Sequence, residues 1–132
     1  MGSPTPLTLM YTLDTNILIY FAGGDRKVAD FIISKLDTGA VLYLPTIVVT
    51  EFFSYHALSD DERAFFSDIL PQLHLVPLDY TTATMAADIR RDYGLKLGDS
   101  VIAATALTTN SSLVTRNTKD FSVIKNLSLE SL

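Results

Sequence analysis

Short runs of residues that are apolar on both faces, each followed by a stretch with helical spacing, restrict the fold of this chain more than any other feature. Leu7–Leu13 reads LTLMYTL and stops at Asp14, Val41–Leu44 reads VLYL, Leu73–Val76 reads LHLV and Ser112–Thr115 reads SLVT. Leu127–Leu129 supplies a fifth short segment. Strands without a polar face belong in a parallel sheet covered on both sides. The intervening segments read as helices. Ile17–Ala22 is broken by Gly23-Gly24. A second helix is capped by Asp25, carries Val28, Phe31, Ile32 and Leu36 on one face and closes at Gly39. Further helices run from Thr46 to about Leu58, from Asp60 to before Pro71, from Tyr80 to Tyr93 with Gly94 as the stop, and from Gly98-Asp99 to about Thr109. The expected architecture is α/β, a three-layer α/β/α arrangement around a central, Rossmann-like parallel sheet of four to five strands. At 132 residues the chain is expected to form one domain over 1–132, with 1–6 as a flexible tail.

Composition narrows the chemistry. The absence of cysteine excludes disulfides, thiolate nucleophiles, iron–sulfur clusters and Cys-based zinc sites, and two histidines, His56 and His74, cannot make a three-His metal site. His74 lies within an apolar strand and is read as structural. Ten Lys plus Arg against fifteen Asp plus Glu give a net charge of −5. A nucleic-acid role would therefore have to rest on a local basic patch or a metal. No apolar run reaches the roughly 18–20 residues of a membrane span. Met1–Pro6 lacks a basic signal-peptide start. The expected location is the cytoplasm, with no membrane partner.

In open α/β sheets ligands bind beyond the carboxyl ends of the strands. Asp14 directly follows strand one, Glu51 lies two turns into the helix after strand two, Asp99 opens the helix before strand four, and Asn117 and Asp120 follow that strand. Four carboxylates spaced by 37, 48 and 21 residues can thus converge on one edge. Each also has a plainer reading: Asp14 and Asp99 as helix caps, Asp120 as a loop residue, Glu51 on a narrow exposed stripe. The reading preferred for Glu51, which interrupts Ile47-Val48-Val49 and Phe52-Phe53, is burial with a purpose. Carboxylates sharing a site repel unless a cation neutralises them, and an all-oxygen set suits Mg²⁺ or Mn²⁺. Such a site suits hydrolysis at phosphorus.

These residues fall into four blocks that resemble those of PIN-domain nucleases. Leu13-Asp14-Thr15-Asn16-Ile17-Leu18-Ile19 resembles the family's opening motif, and Thr50-Glu51 its second acidic position. Leu97-Gly98-Asp99-Ser100-Val101-Ile102-Ala103-Ala104 and Leu113-Val114-Thr115-Arg116-Asn117-Thr118-Lys119-Asp120-Phe121 resemble the third and fourth. The similarity spans about Met10 to Leu129 and is greatest to the VapC-like toxins of type II toxin–antitoxin pairs. It implies a Mg²⁺- or Mn²⁺-dependent endoribonuclease acting on RNA, held inactive by a cognate antitoxin and often a homodimer. It carries the metal and catalytic roles to Asp14, Glu51 and Asp99. For the fourth position it favours Asp120, with Asn117 as a polar helper.

Asn16 is read as holding the Asp14 turn or as a plain helix-start residue. Thr115 and Ser100 are read as partners of the carboxylates or as packing and capping residues. Lys96, Arg90 and Arg91 flank the approach to Asp99, and Arg116 and Lys119 flank Asp120. All five are candidates for RNA phosphates, and a solvated helix face is the alternative for Arg90 and Arg91. Of Phe52, Phe53, Tyr55, Phe65 and Phe66, about three are expected in the core, and the rest to leave an interface. Two rival functions remain: a PIN-fold module that only binds RNA or protein, and a phosphoacceptor receiver domain. The second ranks low because the residues before Asp14 are apolar.

Overall fold

The computed structural model describes residues 9–132. The tail expected at 1–6 and the start of the first expected strand, Leu7 and Thr8, lie outside the described residues. Five strands, β1 (Met10–Leu13), β2 (Val41–Pro45), β3 (His74–Val76), β4 (Ser112–Thr115) and β5 (Leu129–Ser131), form one parallel sheet in the order β3-β2-β1-β4-β5. The helices are α1 (Thr15–Ala22), α2 (Arg26–Asp37), α3 (Thr46–Phe53), α4 (Asp60–Ile69), α5 (Tyr80–Tyr93), α6 (Leu97–Thr108) and the single turn α7 (Thr118–Phe121). They cover the sheet in three α/β/α layers. No described helix is long and apolar enough to cross a membrane.

The core explains the two-faced strands. Leu13, Leu42, Leu44, Leu113 and Val114 are almost completely shielded, and Phe52 and Phe66 meet edge to face at 4.9 Å between α3 and α4. Each such side chain contributes roughly 1.5–3 kcal/mol through burial. Helix α6 is buried continuously from Ser100 to Ala106. Its small residues allow close approach on every side, and its hydroxyls are satisfied within the helix: Ser100 donates to the Lys96 carbonyl and Thr105 to that of Val101.

Local signals set several boundaries as expected. Asp79 accepts from the Thr82 amide to start α5, and Gly94 ends it at φ +70, a left-handed conformation that suits glycine. Two boundaries differ. Helix α3 stops at Phe53 rather than near Leu58, because Ser54 bonds back to the Thr50 carbonyl and the Arg63 guanidinium of α4 donates to the Phe53 carbonyl at 2.9 Å. Strand β5 begins at Leu129 rather than Leu127, after a turn through Asn126 at φ +69. His74 sits exposed on the edge strand β3 against the Tyr43 ring, not in the core.

From β1 the chain builds outward through β2 and β3, then returns by α5 and α6 to place β4 on the other side of β1. Strand order reverses between β1 and β4, and a crevice opens beyond their carboxyl ends. The Asp14 amide donates to the Val114 carbonyl at 3.2 Å, tying the two strands together at that crevice.

Candidate active site

Asp14 leaves β1 in an extended conformation at the N-cap of α1, yet its side chain makes no capping hydrogen bond. It is only 3% exposed. Its Oδ2 instead accepts from the buried Thr115 hydroxyl at the end of β4, at 2.9 Å. That hydroxyl oxygen in turn accepts from the Asn117 amide at 2.9 Å, which fixes the direction of the Thr115 proton toward Asp14. Burial, with a smaller contribution from the negative charge of Asp99, pushes the Asp14 carboxyl up to about 6. The Thr115 bond and the nearby Thr15 and Asn16 amides oppose the rise.

Asp99 stands half-buried in the first turn of α6. Burial raises its pKa first, and the charges of Glu51 and Asp120 add to the rise, while the Lys96 ammonium opposes it. Glu51 corrects the expectation of burial. It is exposed, on the stripe of α3 that faces the crevice. Two neighbours seat it there. The Thr15 hydroxyl donates to its Oε1 at 2.6 Å, and Gly98 leaves room for its carboxylate, since a Cβ at position 98 would stand 2.6 Å from Oε2. Asp120 on α7 is exposed and accepts from the Asn117 side-chain amide at 3.0 Å. Asn117 and Asp120, the two candidates for the fourth position, are therefore joined by one hydrogen bond.

The tertiary structure thus brings Asp14, Glu51, Asp99 and Asp120 into one electrostatic neighbourhood, although among the described residues no three of them form a ready-made metal cage. The donor set is still a fit for Mg²⁺ or Mn²⁺. It is all oxygen, neighbouring carboxylates help to raise the pKa of Asp14 and of Asp99, and Mg²⁺ usually takes one or two carboxylates while keeping several waters.

Other expected residues fall elsewhere. The Asn16 side chain is exposed and has no hydrogen-bond partner among the described residues; only its backbone touches the Asp14 turn. Arg116 is committed. Its guanidinium grips Asp25 with both terminal nitrogens at 2.7 and 3.1 Å, donates through Nε to the Leu132 carbonyl and lies 4.4 Å over the Tyr20 ring. It clamps the turn after β4 to the α1–α2 junction. Arg90 lines a recess with Leu78, Ala87, Leu97 and Val101 between α5 and α6, and Arg91 pairs with Asp88 and Asp92. Lys96 and Lys119 do line the cleft that holds Asp99 and Asp120. Thr15 and Gly98 escaped the sequence reading. The one signal available was a glycine in the first turn of an otherwise alanine-rich helix.

The PIN domain family profile matches residues 11–127. The chain belongs to the PIN domain family. Solved structures share this PIN fold over nearly the whole chain. One is a chain of VapBC2 from Rickettsia felis bound to a DNA fragment from their promoter (TM-score 0.79, 22% identity, covering 94% of this chain and 99% of that one). Another is in a toxin–antitoxin complex from Klebsiella pneumoniae (0.75, 27%, 92% and 99%). A third is in VapBC-1 from nontypeable Haemophilus influenzae (0.75, 23%, 93% and 98%). Among curated proteins no sequence matches significantly.

The raised Asp14 pKa has a consequence for stability. A carboxyl raised from 3.8 to about 6 on folding contributes stability that is complete below pH 3.8 and is lost as pH rises through 6, a change of roughly 3 kcal/mol. Asp99 acts in the same direction. The carboxylates with lowered pKa, such as Asp25 and Asp79, lose their contribution only at more acidic pH. Urea unfolding in EDTA should therefore give a more stable protein at pH 5 than at pH 7.5. A metal-free protein equally stable at both values contradicts the electrostatics described for this PIN site.

Proposed function

We propose that this PIN-domain chain is a divalent-metal-dependent endoribonuclease and the toxin of a toxin–antitoxin pair. The observation that supports the reading is that Asp14 feels the charge of Asp99, and Asp99 the charges of Glu51 and Asp120, so that burial and these neighbours raise the pKa of Asp14 and of Asp99. Asp14 and Asp99 are the residues assigned to hold the ion, with Glu51 and Asp120 joining directly or through water. When bound, Mg²⁺ or Mn²⁺ supplies charge neutralisation at the scissile phosphate and lowers the pKa of a water. The chain's own groups supply the positioning. Thr115 fixes the Asp14 carboxylate, Thr15 holds Glu51, and Asn117 holds Asp120. The test is cleavage of a structured RNA, with Mg²⁺ and with EDTA. Cleavage should require the ion, which should also raise the melting temperature through linkage. Equal cleavage in EDTA rejects the metal-dependent mechanism.

The antitoxin part of the reading is supported by the VapBC and toxin–antitoxin complexes among the similar structures and by a wholly apolar groove of about 250 Å³ between α1, α2 and α4. Ile33, Leu36 and Phe65 are about half exposed at this groove, and Phe66 closes its base. Of the five aromatics, Phe52 and Phe66 are buried and Phe53 is partly so, while Tyr55 and Phe65 stay exposed. A partner presenting an amphipathic helix satisfies such a groove. Phe65→Asp is expected to weaken antitoxin binding by about thirtyfold, the range of an interface hot spot, and to leave RNA cleavage by the free toxin unchanged. Calorimetry with the co-expressed antitoxin checks this, and unchanged affinity moves the interface elsewhere.

A further inference from the structure

Between Thr115, which donates to Asp14, and Asn117, which donates to Asp120, stands a residue that bonds neither acid. Arg116 sends its guanidinium to the far end of α1, where it meets Asp25, the Leu132 carbonyl and the face of Tyr20. We propose that Arg116 is a positioning residue: by clamping the turn after β4 to Tyr20 and Asp25, it holds the Thr115 hydroxyl and the Asn117 amides where they set the carboxylates of Asp14 and Asp120 for a divalent ion. The inference rests on the metal-dependent reading of the site. It adds to that reading a pair, Arg116 and Asp25, that makes no hydrogen bond to any of the four acids.

The clamp is well built. Two guanidinium nitrogens meet the two Asp25 oxygens at 2.7 and 3.1 Å, with the side chains only 28% and 26% exposed. A two-pronged, partly shielded pair fixes direction in a way that an open surface pair does not. Stacking at 4.4 Å over the Tyr20 ring holds the guanidinium by its face as well as its edge. The anchor is fixed in turn. Asp25 Oδ1 accepts from the Val28 amide as the N-cap of α2, and the Asp25 amide donates to the Tyr20 carbonyl at 3.0 Å across the Gly23-Gly24 turn. The path from clamp to acids is short. The Asn117 backbone amide reaches across Arg116 to the Thr115 oxygen at 2.9 Å, and that bond turns the Thr115 proton toward Asp14. Neither helix nor strand holds the backbone at Arg116 and Asn117, so a rotation there breaks the bond. The Arg116 charge does not act on the acids directly: the neighbouring charges felt by Asp14 and Asp99 are those of Asp99, Glu51, Asp120 and Lys96. Its effect passes through geometry.

Arg116→Gln opens the clamp at one end. Asp25→Ser opens it at the other and leaves a residue that still caps α2. In metal-free protein each should speed hydrogen exchange at the Asn117 backbone amide about tenfold, the equivalent of one hydrogen bond. Each should weaken Mn²⁺ binding, measured by calorimetry, about tenfold, the range for residues that orient metal ligands. The double variant should do no more than either single one, because the two residues act through one contact. In cleavage, kcat should fall while the KM for RNA stays constant. Ser59→Ala removes the capping box of α4 and so tests lowered stability alone; it should leave Mn²⁺ affinity and Asn117 exchange unchanged. Arg116-dependent Mn²⁺ binding in a parental protein that cleaves no RNA removes the nuclease reading and keeps the clamp. A parental protein that binds no Mn²⁺ removes the metal reading, and with it this role of Arg116. Unchanged Mn²⁺ affinity and Asn117 exchange in both clamp variants, or a raised KM at constant kcat, overturns the positioning role.

Discussion

Asp14→Asn is expected to lower RNA cleavage by a hundredfold or more while making the metal-free protein more stable. The two effects have one source. Asn occupies the volume of Asp, and its side-chain oxygen can still accept from the Thr115 hydroxyl that bonds Oδ2. The packing around the strand end is therefore preserved. What disappears is a negative charge held at 3% exposure beside Asp99. At neutral pH that charge costs the fold roughly 3 kcal/mol, the equivalent of its raised pKa. The catalytic loss should be on the order of that from removing one preorganised electrostatic group, 10²–10³-fold. A residue kept for the fold alone shows the opposite pattern, lost stability first and lost activity as its consequence. Thermal melts in EDTA and single-turnover cleavage in Mg²⁺ measure both quantities. Cleavage at the parental rate by a folded Asp14→Asn protein removes the chemical basis of the proposed function.

Gly98→Ala should separate activity from stability in the same direction by a different route. Glycine in a helix costs up to about 1 kcal/mol relative to alanine, and Gly98 lies in the first turn of α6 without a left-handed backbone. Alanine is therefore locally favourable. Its Cβ, however, would stand 2.6 Å from Glu51 Oε2 and 3.2 Å from Oε1. The obstructed atoms are the end of a flexible, exposed side chain, so Glu51 yields and the helix does not. The carboxylate leaves its bond with Thr15 and its place near Asp99. A displacement of about 1 Å at a reacting centre can cost on the order of 10²-fold, and a ten- to hundredfold fall in cleavage is expected with equal or higher thermal stability. Glu51→Asp in the Gly98→Ala background shortens the acid and should recover part of the loss. If Gly98→Ala cleaves RNA at the parental rate, the seat of Glu51 is irrelevant to function.

Both experiments concern residues whose importance was unequally visible in the sequence. Asp14 and Asp99 stand out because each follows or opens a buried apolar element, where a charge is costly without a purpose. Asn117 and Asp120, three residues apart, also announced a polar position after a buried strand; that they share one hydrogen bond needed coordinates. Glu51 stood out for a reason that proved wrong. Its apolar neighbours suggested burial, whereas Phe52 turns into the core and Glu51 lies on the exposed edge toward Thr15. Arg116 looked like a phosphate ligand by proximity to Asp120, but its partner Asp25 lies 91 residues away.

The same division runs through the architecture. Short-range chemistry in the sequence determined that strands alternate with helices, and it marked ends such as Asp25 of α2 and Gly94 of α5, because caps and hydrophobic period act within a few residues. It also left carboxylates as the groups on which the proposed chemistry rests, since no cysteine and only two histidines were available. Only the tertiary structure decided that α3 ends where Arg63 takes the Phe53 carbonyl, that Glu51 is seated by Thr15 and Gly98, and that Lys96 and Lys119 rather than Arg90 and Arg116 face the acids. Those outcomes depend on side chains from separate elements meeting: Arg63 of α4 at the end of α3, and Glu51, Lys96 and Lys119 around the acids beyond the sheet. A local pattern encodes which face a residue occupies on its own element; the partner opposite that face is set by how the elements pack.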